Sequence, residues 1–341
     1  MRRLSITLAS VAAMTAVPAL AQEASSRFSV EGSIELQSDF TVDSTDKAAE
    51  INNTFATIEA ALGYAFTEST SLNATLLIEP IRDPIDDAFL EDHGFYAEEL
   101  FFSHDFGPAE VVLGKFNPAF GTAWDVAPGI YGVDFAEDYE ITEELGAALV
   151  FPFEAGQGAH ELTVSVFTAD RSFLSESVGN NRGRLHKRDG GVSNTGALES
   201  VAIALAGEIG NSAYNIGWQH QARGQGDASS QDGVVAGINH EIVAGSIPVS
   251  LLAEAAWFDD FDGTKDSAAY ATFGIEMPIG PVSASAVYAL RDVDNAPTDH
   301  LATLSGEIEL FGGVTGALAY RFGDEGGEDS HTIGTLFAYE F

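Results

Sequence analysis

Beyond its first two dozen residues the chain alternates apolar and polar residues one by one, in short runs separated by breakers. Phe28, Val30, Gly32, Ile34 and Leu36 fall on one side of such a run, and Ser29, Glu31, Ser33, Glu35 and Gln37 on the other. Near the far end Ala302, Leu304, Gly306, Ile308 and Leu310 oppose Thr303, Ser305, Glu307 and Glu309. A period of two places alternate side chains on opposite faces of a strand, so each run predicts a strand with two unlike faces. Carried through, the pattern predicts sixteen strands: 28–38, 53–65, 70–80, 94–105, 109–116, 141–154, 159–170, 197–208, 212–222, 232–243, 247–258, 267–277, 282–292, 299–310, 313–322 and 330–341. Connections after even-numbered strands are short, and those after odd-numbered strands are generally longer, reaching 117–140 and 171–196. Such asymmetry describes an up-and-down antiparallel sheet. The prolines after the leader all fall in connections or close to strand ends, as a residue that cannot donate to a ladder should.

Composition narrows the partners. Against 52 Asp and Glu stand 15 Lys and Arg, a net charge of −37, which argues against nucleic acid because phosphate binding needs a basic face. The absence of Cys excludes disulfide scaffolds, cysteine-based metal sites and thiol catalysis. Arg2 and Arg3, the apolar stretch from Leu4 to Val17 and the small residues around Ala19 and Ala21 read as an export signal, cleaved before Gln22. Residues 1–21 are thus expected to be a signal peptide and 22–341 a single all-β domain.

An antiparallel sheet of this kind can close as a soluble sandwich or propeller, or as a transmembrane barrel. The barrel is favoured because strands of about ten residues match a tilted membrane crossing. Aromatic residues also gather near both strand ends: Tyr64, Phe66, Phe151, Phe153 and Phe311 at the short turns, and Trp218, Trp257, Tyr288, Tyr320 and Phe322 at the long loops. The opposite faces carry Glu31, Glu35, Glu59, Glu79, Glu161, Glu254, Glu276, Glu307 and Glu309, which a closed barrel tolerates only around a hydrated lumen.

The last strand ends Ile333, Thr335, Phe337, Tyr339, Phe341. This resembles the C-terminal strand of Gram-negative outer-membrane proteins, in which it acts as the assembly signal; Tyr339 and Phe341 would carry it here. Sixteen strands with a long third outer loop resemble the trimeric diffusion porins. The stretch Gly114-Lys115-Phe116-Asn117-Pro118-Ala119-Phe120-Gly121 is similar to a strand-to-loop junction of porin-like families, siderophore porins included. The resemblance covers the whole exported chain in layout rather than in sequence. It implies an outer-membrane location, contact with lipid and lipopolysaccharide, delivery by the barrel-assembly machinery, a homotrimer, and a third loop folded inward as a constriction.

Diffusion porins commonly set acids on the third loop against a basic cluster on the facing wall. Here the loop supplies Asp125, Asp134, Glu137, Asp138 and Glu140, but the early inward positions are Glu31, Glu35, Glu59 and Glu79. Basic candidates for the lumen are Arg82, Lys115, Arg291 and Arg321. A mainly negative lumen, and so a cation-preferring passive channel for small hydrophilic solutes, is expected. The alternative is a substrate-specific porin or receptor, for an iron chelate or an organic solute, with loops 117–140 and 171–196 as its binding site. The latter loop carries the basic group Arg182, Arg184, Lys187 and Arg188, able to contact lipopolysaccharide phosphates or to fold inward. The eight His residues are scattered without metal-ligand spacing. No metal, cofactor or enzymatic activity is expected.

Overall fold

The computed structural model describes residues 27–341. The expected signal peptide lies outside them. Sixteen long strands form the sheet: β1 (Phe28–Ser44), β2 (Asn52–Thr67), β3 (Thr70–Pro80), β4 (His93–Asp105), β5 (Glu110–Phe116), β6 (Glu144–Ala155), β7 (Gly158–Ala169) and β8 (Ser200–Ile209) make the first half. The second half is β9 (Ser212–Gln221), β10 (Gln231–Ala244), β11 (Ile247–Asp259), β12 (Ala268–Ile279), β13 (Val282–Val293), β14 (Asp299–Phe311), β15 (Val314–Glu325) and β16 (Glu328–Glu340). Each strand pairs antiparallel with the next in sequence, and β16 pairs back onto β1 from Ser33 opposite Glu340 to Ser44 opposite Ser330. An even strand number lets the closing pair be antiparallel too, so the sheet has no free edge. Two further two-residue strands, Ala88–Phe89 and Val178–Gly179, fasten outer loops to β2 and β4.

The polarity of the two faces decides between the alternatives for closure. Large apolar side chains stand in the open on the outer face: Leu304 is 61% exposed, Leu318 59% and Phe273 52%. A soluble sandwich would bury them; an exterior apolar over the height of every strand belongs to a barrel in lipid. Apart from a bulge in β4, exterior residues alternate with interior ones, so the predicted two-faced pattern is realised along the strands. Tyr288 and Tyr320 on the outer face reach His300 and His331 at 2.9 and 2.6 Å near the long-loop end. A polar-tipped ring at that height suits a membrane interface.

Among the strand boundaries that differ from the sequence reading, two have a plain physical reason. Strand β1 runs to Ser44 rather than 38, because Phe40 and Val42 continue the exterior face although Asp39 and Asp43 flank them. At the other end of the chain the expected connection 323–329 shrinks to Gly326-Gly327, with φ of +63° and +85°. Two successive positive φ angles make the tight hairpin turn that matches strand twist, and only glycine enters it without strain. The outer loops are therefore 45–51, 81–92, 117–143, 170–199, 222–230, 260–267 and 294–298, plus this one tight turn.

At the closing seam, Gly32 and Phe341 exchange both backbone hydrogen bonds, at 3.0 and 2.9 Å. A Cβ on Gly32 would collide with the Glu59 carbonyl oxygen and approach the Phe341 ring to 2.9 Å. Deleting Phe341 should remove about 1–3 kcal/mol of closure and lower the folded fraction, and Gly32→Val should do so more severely. Gel mobility of unheated against heated samples measures this, since closed barrels migrate as compact species.

Candidate functional site

Loop 117–143 packs against side chains of β9 to β16, and the junction that precedes it can be read residue by residue. Gly114 has φ of +145°, and a Cβ there would strike the Leu100 carbonyl oxygen and sit 2.8 Å from the Phe101 Cα. Glycine thus lets β5 lie close against β4. Lys115 is fully buried; its Nζ donates to Glu143 Oε2 at 2.7 Å and to the carbonyls of Ala97 and Leu174 at 2.8 and 3.0 Å, with Asp170 at 3.3 Å. A buried ammonium needs such partners, and one with no exposed surface cannot line a passage, contrary to its place among the expected lumenal cations. Asn117 then fastens both ends of the loop. Its N–H donates to Glu99 Oε1 (3.1 Å), its Nδ2 to Glu98 Oε1 (2.9 Å), and its Oδ1 accepts from the Glu143 N–H (2.8 Å).

From this anchor the loop crosses the interior and packs on the faces of β9 to β16. Gly121, at φ of +73°, turns the backbone so that Thr122 and Ala123 present their N–H groups to Glu254 at 2.9 Å each. The same carboxylate, 2% exposed, also accepts from Thr122 Oγ1 (3.0 Å), Tyr139 Oη (2.8 Å) and Asn215 Nδ2 (2.7 Å). The one-turn helix α1 (Ala123–Val126) follows. Phe120, Phe135 and Tyr139 bury themselves against Val235, Leu252, Phe258, Tyr270 and Ala289 of the wall. Here the interior face is apolar rather than polar, because a loop, not water, covers it. Further along, Tyr131 Oη donates to Asp39 Oδ1 (2.5 Å), Asp134 pairs with Arg321 (2.8 Å), and Asp138 pairs with Arg291 (2.7 Å), whose guanidinium also holds Asp299 and covers the Phe135 ring.

These attachments sort the charges. Arg291 and Arg321 are both tied to carboxylates, and Asp134 and Asp138 are the acids that tie them. Elsewhere on the loop, Asp125, Glu137 and Glu140 lie within electrostatic reach of further acids. Glu137 lies within electrostatic reach of Glu79 and Glu140 within reach of Glu98, Glu99 and Asp125. Glu59 feels Glu99, Glu35, Asp125 and Glu79. Burial first, and then these like charges, push Glu137 up to about 7 and Glu140 to about 8, while burial raises Asp134 to about 6 against the pull of Arg321. Glu35 sits lower on β1, near Glu340 and Glu307, and Glu31 is exposed towards the short-turn end.

Glu98 and Glu99 were not among the sequence candidates. Their signal is the Glu-Glu pair itself: strict alternation would send one carboxylate into lipid. A register shift between Thr75 and Leu76 bulges β4, and both carboxylates reach the interior side, Glu98 to Asn117 and Glu99 to Asn117 and Thr75 Oγ1. Arg82 lies in the exposed loop 81–92, paired with Asp92 at 3.3 Å, and is not brought to this group. Of the basic set on loop 170–199, only Arg182 turns inward. It stacks 3.8 Å over the Tyr96 ring and grips Glu143 through both terminal nitrogens, while Tyr96 Oη donates to Glu79. Arg184 pairs with Glu176 (2.6 Å) and Arg188 with Asp189 (3.7 Å), both exposed, and Lys187 is exposed beside them.

A closed sixteen-strand antiparallel barrel, apolar outside and charged within, is the fold of the outer-membrane porins. Among solved structures, the chain is similar to OprB of Pseudomonas putida (TM-score 0.66, 10% identity, covering 92% of this chain and 94% of that one). It is similar also to the outer-membrane channel DcaP of Acinetobacter baumannii (0.64, 12%, 92% and 97%). A third is an anion-selective porin from Comamonas acidovorans (0.60, 15%, 92% and 99%). At such identities the likeness establishes the fold alone. No family model matches the chain, and no curated protein sequence does.

Removing the Glu254 carboxylate should free the loop. Glu254→Ala leaves five donors without their acceptor, and two charge-assisted bonds alone contribute about 3 kcal/mol. We expect a lower unfolding temperature together with larger and noisier single-channel conductance, measured by thermal denaturation and bilayer recording.

Proposed function

We propose that the chain is an outer-membrane channel for passive diffusion of small hydrophilic solutes, and that its passage prefers cations. The observation that carries the proposal is the meeting of like charges at the loop: Asp125, Glu137 and Glu140 on one side, Glu59, Glu79, Glu98 and Glu99 on the other. Arg291 and Arg321 are held by carboxylates. Rings of acids in a narrow aqueous passage concentrate cations, and low-dielectric walls focus their field. Loop 117–143 is the constriction in this reading, the short-turn end faces the periplasm, and residues 1–21 direct export. Assembly as a homotrimer, in contact with lipid and lipopolysaccharide, belongs to the same proposal. No catalytic step is invoked.

The charge sorting specifies which neutralisations matter. Asp125→Asn, Glu137→Gln and Glu140→Gln together should lower the potassium-to-chloride permeability ratio several-fold. Neutralising Asp134 and Asp138 instead leaves Arg321 on Glu325 and Arg291 on Asp299, and should lower it by removing two negative charges beside them. Reversal potentials in dilute KCl compare the two sets; no change in the first would contradict the proposal.

A pH dependence follows from the same residues. Carboxyls with raised pKa are neutral below it and charged above it, so Glu137 and Glu140 gain charge between about pH 6 and about pH 9. Cation preference should therefore rise across that interval and flatten in the Glu137→Gln, Glu140→Gln variant.

A further inference from the structure

Beneath loop 117–143, towards the short turns, the inner faces of β6 to β10 leave a recess of about 290 Å³. That is close to the lower end of the range of about 300–1,000 Å³ usual for small-molecule sites. Strand register shows how it arises. In the row nearest the short turns, Ala159 of β7, Glu208 of β8 and Ala213 of β9 stand side by side; in the next, Pro152 of β6, Glu161, Ala206 and Asn215. Their chain neighbours Phe153, Ile209 and Ile216 are exposed on the outer face, so both rows face inward. Alanine ends at Cβ, and the space that longer side chains would fill stays open.

The loop roofs this space with Thr122 and Val126. Thr122 is fixed there, because its Oγ1 donates to Glu254 Oε2 at 3.0 Å and accepts from Asn215 Nδ2 at 2.6 Å. The lining is open to solvent: Ala159 and Glu208 are exposed, and Val126, Glu161, Ala206 and Ala213 are half-buried. Elsewhere the inner apolar wall is covered by the loop, whereas here it meets water, which is unfavourable until something apolar covers it. The two acids of the lining have no counter-charge on their wall, since β6 to β10 contain no Lys or Arg. Glu161 Oε1 accepts only a long bond from Thr163, at 3.4 Å, and Glu110 lies within its electrostatic reach. The recess therefore joins an accessible apolar floor to two accessible carboxylates.

We propose that this recess binds a small ammonium ion with an apolar body, of the arylammonium or alkylammonium class. The cationic nitrogen lies against Glu208 and Glu161, and the body covers Ala206, Ala213 and Val126. An inorganic cation gains nothing from the alanines, a neutral apolar molecule gains nothing from the carboxylates, and an anion is repelled by them. The recess lies on the solute path of the channel proposed above, and the assignment rests on that reading.

The test is single-channel recording with benzyltrimethylammonium added from the short-turn side. Tetramethylammonium, with the charge but not the ring, and benzyl alcohol, with the ring but not the charge, are the controls. The expected result is saturable current block by benzyltrimethylammonium, at least tenfold weaker with either control. Glu161→Gln and Glu208→Gln should each raise the half-blocking concentration at least threefold, and Ala213→Leu, which fills the recess, at least tenfold. Should Ala213→Leu fail to assemble, Glu208→Gln, at an exposed position, carries the test. Equal block by a control would overturn the site, and so would block unchanged in the variants, which would place the cation at the acidic loop instead. The wild-type conductance in KCl alone is read first. If no channel is seen, calorimetric titration of the detergent-solubilised protein with the same three probes still reports on the recess, and no saturable heat with benzyltrimethylammonium would overturn it, so the two failures are distinguishable.

Discussion

Glu254 projects from β11 into the barrel, and five donors from the loop and from Asn215 converge on its two oxygens. A carboxylate this deeply buried is tolerable only because it is saturated with hydrogen bonds, and the saturation works in only one arrangement of residues 121–123. The rest of the interior follows from that attachment. With Thr122 fixed on β11, the following segment crosses to β1, where Tyr131 meets Asp39, and returns past Arg321 and Arg291, which hold Asp134 and Asp138, to Tyr139 on Glu254. The wall of β9 to β16 becomes the bed of the loop.

The charge balance of the passage is a consequence of this placement. Arg291 and Arg321, on the loop's own wall, are consumed in holding the loop, and Arg182, over the Tyr96 ring, is consumed by Glu143. What remains across the gap is carboxylate against carboxylate. Such an arrangement is electrostatically unfavourable by itself. It is stabilised by neutral donors: Asn117 and Thr75 for Glu98 and Glu99, and Tyr96 for Glu79. These bonds fix the acids in position without adding positive charge. Arg291 and Arg321, by contrast, serve to hold the loop.

Much of this was legible in the sequence, because a barrel in lipid exposes its pattern directly: Phe28 to Leu36, or Ala302 to Leu310, declare their exterior face by period alone. The strand count and the alternation of short turns and long loops followed from the same pattern, whereas an inward third loop was implied only by the likeness to diffusion porins. The individual lumenal roles did not. Lys115 looked like an inward cation and is a buried strut, because a side chain's partners across a closed barrel, here Glu143, Asp170 and the Leu174 carbonyl, have no fixed sequence spacing. Glu254 looked like one lumenal acid among many for the same reason. Glu98 and Glu99 escaped because the bulge that gathers them breaks the very alternation on which strand reading relies.

The sign of the field in the passage sets which ions it prefers, and the reversal potential of the wild-type channel across a KCl gradient reports it directly. Around 0.1 M salt the Debye length is about 10 Å, comparable with a narrow pore, while towards 1 M it falls to about 3 Å. A potential of the cation-preferring sign is expected in dilute KCl, shrinking as both sides are made concentrated. An anion-preferring potential in dilute salt would contradict it.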